Sequence, residues 1–206
     1  MKILRFSLGQ LATNCYFLIR EKKCLIIDPA DEAGFILEQL QRMNLVLIGM
    51  LITHGHFDHL MAAGEVQRSF KIPLYISSKD HFLVDRLAET AQYFLGYKPI
   101  ILPIKIIKNF ERDGLMEIEN FKWQIFFTPG HTPGSCCFYF PDEKIIFTGD
   151  TLFKNGIGRY DFSYSNKKDL KNSLRRILSL PEEVTVYPGH GEETTVGKEK
   201  NKFSTL

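Results

Sequence analysis

The sequence predicts a mixed α/β (α+β) fold with two strand-rich halves and helices outside them. Short runs of β-branched and aromatic residues cluster in both halves of the 206-residue chain, and each cluster is followed by stretches with helical spacing. No low-complexity linker separates the halves. The apolar fraction of 44% at this length allows a sizeable core, and one domain spanning 1–206 is the expectation.

The elements follow in order. ILRFSL, NCYFLIR and KCLIID read as three strands. Pro29-Ala30-Asp31 breaks the pattern, and Asp31 is the expected N-cap of a helix with Ala33, Ile36, Leu37, Leu40 and Met43 on one face, ending near Asn44. LVLIGMLIT is a near-continuous apolar run, the pattern of a buried strand, and it runs straight into His54. Residues 59–69 suit a helix, PLYIS a short strand, and 79–95 another helix; its Tyr93 and Phe94, with Tyr97 just beyond it, are expected to pack in the core, with lining the mouth of a site as the alternative. The apolar, proline-broken stretch 96–110 reads as an extended loop or edge. FKWQIFFT, SCCFYF and KIIFT are strands, 167–179 a helix, VTVYP a last strand and 195–203 a short terminal helix.

Charge and composition exclude several classes. A net charge of +2 with interspersed signs gives no bulk attraction for nucleic acid or membrane. No apolar run approaches the roughly 20 residues needed to span a bilayer. MKILRFSLGQ lacks the apolar stretch and cleavage site of an export signal, so a cytoplasmic location is expected. Cys15, Cys24, Cys136 and Cys137 form no CxxC pair and read as buried free thiols.

The chemistry sits where strands end. LVLIGMLIT ends in THGHFDHL, which holds three of the six histidines. WQIFFT ends in Thr128-Pro129-Gly130-His131, KIIFT in Gly149-Asp150, and VTVYP in Gly189-His190-Gly191. Only His81 lies elsewhere, and it is expected to be dispensable. Strand-end loops place side chains on a rigid support. The candidates His54, His56, Asp58, His59, His131, Asp150 and His190 form a nitrogen and oxygen donor set suited to zinc, iron or manganese. One zinc takes about four ligands, so this set is too large for one ion and suits two. In an extended loop His54 and His56 face one side and can serve one metal. Asp58 and His59 come at the turn into a helix and can serve the other.

THGHFDHL, TPGHTPGS, FTGDTLF and YPGHGEET, in this order, resemble the metallo-β-lactamase superfamily, from the first strand to about residue 203. The resemblance implies a four-layer αββα sandwich, two mixed β-sheets flanked by helices. It implies that His54, His56 and His131 hold a first divalent ion and that Asp58, His59 and His190 hold a second. Asp150 would bridge them, and Asp28 would orient a ligand or loop. Zinc is the first expectation for both ions. Class B β-lactamases usually carry Cys or Ser where Asp150 stands, and the flavodiiron branch has Glu where His56 stands. The segment TLFKNGIGRYDF and the ending GHGEETTVGKEKNKF are instead similar to the glyoxalase II (hydroxyacylglutathione hydrolase) branch, in its short type without a C-terminal helical glutathione-binding domain. Where the short relatives usually have Pro-Gly-Gly, this chain has Ser163-Tyr164-Ser165.

That branch implies a dinuclear hydrolase of small anionic thioesters. A metal-bridging hydroxide would be the nucleophile, Asp58 and Asp150 would serve the reaction, and Arg159 is the candidate for the substrate's anionic part. The rivals are a mononuclear iron persulfide dioxygenase using His54, His131 and Asp150, and a phosphodiesterase or other ester or lactone hydrolase of the same superfamily.

Overall fold

Strands β1 (Lys2–Leu8), β2 (Thr13–Arg20) and β3 (Lys23–Ile27) form an antiparallel meander in the computed structural model, which describes residues 1–203. β1 is the edge and alternates in exposure, whereas β2 is buried along nearly its whole length. The chain then turns through Asp28 (φ 50°), Ala30 (φ 54°) and Glu32 (φ 59°), three non-glycine residues in the left-handed region within five positions.

Helix α1 (Ala33–Arg42) follows. Its N-cap is Glu32, without a side-chain cap, rather than the expected Asp31. Asp31 Oδ1 instead accepts from the Glu32 amide, a local turn that competes with capping, and Glu32 Oε1 accepts from the Gly9 amide. β4 (Val46–Leu51) lies parallel to β3. A 3-10 turn (Phe57–His59) leads through residues 60–62 into α2 (Ala63–Ser69), then β5 (Leu74–Ser77). The helix expected over 79–95 is broken into a 3-10 turn (Ser78–Asp80), α3 (His81–Asp85) and α4 (Leu87–Leu95). The break falls at Arg86, whose amide bonds the Leu83 carbonyl in the tighter i→i−3 pattern. After an extended stretch, β6 (Ile107–Phe110) closes the other edge, parallel to β5.

The expectation of core packing for the α4 aromatics does not hold. α4 buries only Leu87 and Ala91, while Tyr93, Phe94 and Tyr97 are 81%, 49% and 47% exposed. Phe94 stacks on Phe57 at 5.8 Å between ring centroids, and Tyr93 packs edge-on against Phe94.

Met1–Phe110 is one compact unit, and a second begins at Glu111. The second is also built on a six-stranded mixed sheet. Its elements are β7 (Gly114–Ile118), β8 (Phe121–Phe127), β9 (Cys136–Phe140), β10 (Ile145–Gly149), the small hairpin of β11 (Leu152–Phe153) and β12 (Gly156–Ile157), α5 (Lys167–Leu178), β13 (Thr185–Pro188), β14 (Thr194–Thr195) and α6 (Val196–Lys202). The order across the sheet is β14-β13-β10-β9-β8-β7, antiparallel except for the parallel β10–β13 pair. β7 is absent from the sequence-based expectation. It is a largely exposed edge strand, GLMEI, whose glycine and glutamate blunt a strand signal. α5 forms where helical spacing places it: Asn166 accepts from the Lys168 and Asp169 amides at the N-cap, and Leu170, Leu174, Ile177 and Leu178 are buried.

Each unit has its own apolar cluster. Phe17, Ile26, Ile36, Leu40, Met50 and Leu74 belong to the first, and Ile146, Leu152, Leu170, Leu174, Ile177 and Val186 to the second. All four cysteines are buried free thiols. Burial drives the Cys15 and Cys24 thiols well above their usual range. It pushes Cys137 up to about 12, although the Thr128 and Thr151 hydroxyls pull the other way. The native protein at pH 8 is therefore expected to react with an aromatic disulfide reagent far more slowly than the same protein in denaturant. Rapid native labelling of two or more thiols would contradict this burial.

Candidate metal centre

In the first unit β3 and β4 are parallel, so their C-terminal ends meet at the same edge of the sheet. β3 ends at Asp28 and β4 runs into Thr53-His54. The Asp28 amide bonds the Leu51 carbonyl at 3.0 Å. The buried Asp28 carboxylate accepts from the Thr53 amide at 2.8 Å, the Thr53 hydroxyl at 2.7 Å and His59 Nδ1 at 2.9 Å. Thr53 Oγ1 lies 3.1 Å from His54 Nδ1. Because that hydroxyl gives its proton to Asp28, it accepts from His54 Nδ1–H. Asp28 thus fixes His59 directly and His54 through Thr53, and both imidazoles carry their lone pair at Nε2.

His54 and His56 pack edge to face at 4.7 Å between centroids, and His54 and His59 lie 4.2 Å apart. The intervening turn is held by a residue the sequence reading missed: buried Asp80, whose Oδ2 accepts from the Gly55 amide at 2.8 Å. A side chain at Gly55 would meet the Asp80 carbonyl and Leu83 at 2.9 Å, so glycine permits this approach. Thr13, also missed, donates to Asp58 Oδ2 at 2.8 Å. Asp58 Oδ2 lies 3.5 Å from His59 Nε2.

In the second unit β8 and β10 run in the same direction, each antiparallel to β9, and β13 is parallel to β10. Their ends therefore deliver His131, Asp150 and His190 to one edge. Asp150 Oδ2 lies 3.6 Å from His131 Nε2 and 3.7 Å from His190 Nε2. These separations are too long for hydrogen bonds. They match donors that share a cation at about 2.0–2.2 Å from each, roughly 3.4 Å apart in tetrahedral geometry.

His131 Nδ1 donates to the Arg159 carbonyl at 2.8 Å, which again puts the lone pair at Nε2. The His131 carbonyl accepts from Ser165 Oγ. The loop carrying Arg159 lies against the ligands because of Gly158: a Cβ there would fall 1.8 Å from the Asp150 carbonyl oxygen and 3.3 Å from the His131 Cβ. Gly130 is required too, with φ +136° and a virtual Cβ 2.2 Å from the Leu170 amide nitrogen. The Arg159 side chain makes a bidentate pair with Asp161 at 3.0 and 2.9 Å and lies over the Phe162 ring. The guanidinium holds the Asp161 carboxyl below its usual range. His81 stands apart, bonded to Asn109.

Both halves thus present imidazole Nε2 atoms and carboxylate oxygens, a donor set that fits divalent transition metals. Sequence reasoning found these side chains. It missed Thr13 and Asp80, which no spacing marks, and the Arg159 carbonyl, which any residue carries.

The model of the metallo-β-lactamase superfamily matches residues 8–190. A probable metallo-hydrolase, YqgX of Bacillus subtilis, is 36% identical over 98% of this chain and 96% of its own. A hydroxyacylglutathione hydrolase, GloC of Haemophilus influenzae, is 38% identical over 87% of this chain and 85% of its own. Among solved structures, TTHA1623 in a di-iron-bound form is 33% identical with a TM-score of 0.89, covering 98% of this chain and all (100%) of that one. The BLEG-1 B3 metallo-β-lactamase is 35% identical with a TM-score of 0.88, over 97% of both chains. Among the described residues no helix is long and apolar enough to cross a membrane.

The hydrogen bonds predict that side-chain 15N–1H correlation spectra will show His54, His59 and His131 as Nδ1–H tautomers. Nε2–H patterns for them would overturn the assignment.

Proposed function

The chain belongs to the metallo-β-lactamase superfamily, and on that premise we propose that it is a dinuclear metal-dependent hydrolase of the glyoxalase II-like (hydroxyacylglutathione hydrolase) branch, cleaving small anionic thioesters. The observation that carries the reading is the Asp150 carboxylate, with Oδ2 flanked by His131 and His190 at 3.6 and 3.7 Å. In this reading residues 1–206 form one catalytic domain. His54, His56 and His131 would hold one ion and Asp58, His59 and His190 the other, with Asp150 a ligand to both. A family match that spans both sets of strand ends supports bringing them together.

Two divalent ions held there would supply Lewis acidity and would lower the pKa of a coordinated water to about 7. The chain's own residues do the rest. Asp28 and Thr53 hold His54 and His59 in fixed tautomers, and the Arg159 carbonyl does so for His131. Asp58, oriented at Oδ2 by Thr13, is the group placed to hold the proton released by the attacking water. A thiolate is a weakly basic leaving group, so the reaction needs no strong acid at sulfur. The Arg159 side chain, 61% exposed in its pair with Asp161, is the group offered to a substrate anion.

The match to a B3 metallo-β-lactamase at 35% identity favours a second reading, β-lactam hydrolysis with the same nucleophile. Elemental analysis and parallel assays separate the two. About two metal equivalents per chain, with turnover of S-lactoylglutathione or another acyl thioester and little of nitrocefin, is the expected result. The reverse preference would replace the substrate assignment. One equivalent of iron with oxygen uptake on glutathione persulfide would replace the hydrolase reading altogether.

Asp150→Ala should lose metal and lower kcat by about 100-fold or more, because it removes a ligand from both ions. Full metal content with normal turnover would exclude bridging. Asp28→Ala should weaken metal binding in a chelator competition by about 10–100-fold, through lost imidazole orientation. Arg159→Ala should raise KM without changing metal content, and unchanged kinetics would remove its side chain from the substrate site.

A further inference from the structure

The first unit contains a cavity of about 570 Å³ between α2 and the segment 102–106. None of its lining residues is a candidate metal ligand. The volume lies within the roughly 300–1,000 Å³ typical of small-molecule sites. Leu102, Pro103 and Ile106 give it an apolar surface, and Arg68, Lys71 and Lys105 stand around it, all three exposed. No acidic residue lines it, and Glu65, the one acid of α2, lies outside the lining. The aliphatic stems of the cations extend the apolar wall while their heads remain charged.

The cavity is built rather than incidental. Its second wall, 102–106, has no regular secondary structure, yet it is clamped to α2 at two points. At Gly64 a Cβ would fall 1.9 Å from the Leu102 carbonyl oxygen, so only glycine allows this approach. Gln67 is 7% exposed and spends its whole amide on the clamp. Its Nε2 donates to the Ile72 and Ile106 carbonyls at 3.0 and 2.9 Å. Its Oε1 accepts from the Lys105 and Ile106 amides at 2.9 and 3.3 Å. These bonds fix the Lys105 backbone across from Arg68 and Lys71, so the site needs little ordering before it binds.

We propose that this cavity binds a small amphiphilic anion, with an apolar body against Leu102, Pro103 and Ile106 and an anionic head among Arg68, Lys71 and Lys105. No acid in the lining balances Arg68, Lys71 and Lys105, so an anionic head gains from them, whereas a cationic occupant is disfavoured and a neutral apolar one gains nothing from the charges. Arg68 offers a planar fork suited to a two-oxygen or three-oxygen head, and the lysines add point charges. The assignment is independent of the reaction at the strand ends.

The test is calorimetric titration of the metal-loaded protein with octanesulfonate, whose head group is a poor ligand for divalent metals. Methanesulfonate supplies the head alone and octyltrimethylammonium the same tail with the opposite charge. Octanesulfonate should saturate at one per chain, and both controls should bind at least 10-fold more weakly. The double variant Arg68→Glu, Lys105→Glu changes only exposed side chains. It should keep the native thermal transition and the native metal content, and lose octanesulfonate affinity by 10-fold or more. Absence of a saturable site, equal affinity for octyltrimethylammonium, or undiminished octanesulfonate binding in the folded double variant would each overturn the proposal.

Discussion

One buried carboxylate organises the candidate ligands of the first unit. Asp28 leaves the end of β3 in the left-handed region, a conformation that costs on the order of 1 kcal/mol or more for a non-glycine residue. It persists because its surroundings over-determine it. The backbone amide is bound by the neighbouring strand, and the carboxylate takes three hydrogen bonds from Thr53 and His59. A buried carboxylate so placed would be costly without those donors. With them it becomes the point from which His54 and His59 are both aimed. Its loss would leave Thr53 and two imidazoles free to choose other tautomers and rotamers, which is why its effect on metal affinity should exceed that of a surface acid.

The second unit solves the same problem with backbone rather than a carboxylate. Here the orienting group is the Arg159 carbonyl, and its position depends on Gly158 lying against the Asp150 carbonyl oxygen. The sheets share the device that makes this possible. In each, a parallel pair within an otherwise mixed sheet, β3–β4 or β10–β13, brings two C-terminal strand ends to one edge. A purely antiparallel sheet would send neighbouring ends to opposite edges and scatter the ligands. Within each unit the topology is therefore a condition for gathering the candidate ligands, and in the second the GIGRYDF segment serves it through main-chain atoms, whatever the Arg159 side chain does.

This explains which parts of the molecule were legible in the sequence. The strands feeding the centre are apolar runs ending in histidine or aspartate beside glycine, so side-chain identity and spacing reveal them directly. The αβ character, the two strand clusters and α5 follow from periodicity. What escaped were features decided by a few local hydrogen bonds. Asp31 accepts from the Glu32 amide instead of capping α1. Arg86 closed a tight turn within the expected 79–95 helix. Tyr93, Phe94 and Tyr97 look like core residues by composition, yet α4 turns only Leu87 and Ala91 inward. Asp80 and Thr13 reach their partners across long stretches of chain, and a single sequence carries no record of such contacts.

The donor set also bears on how metal identity is decided. Imidazole and carboxylate accept zinc, iron and manganese alike, and affinity among them follows the Irving–Williams order whatever the protein. Soft thiolate donors would have biased the choice, but all four cysteines are buried and free. What remains to the chain is geometry: tautomers locked by Asp28, Thr53 and the Arg159 carbonyl, and a single aspartate placed between two histidines. Locked donors penalise an ion that demands a different arrangement, but zinc and ferrous iron both accept nitrogen and oxygen donors at similar distances. The locked donors by themselves therefore discriminate weakly between the two.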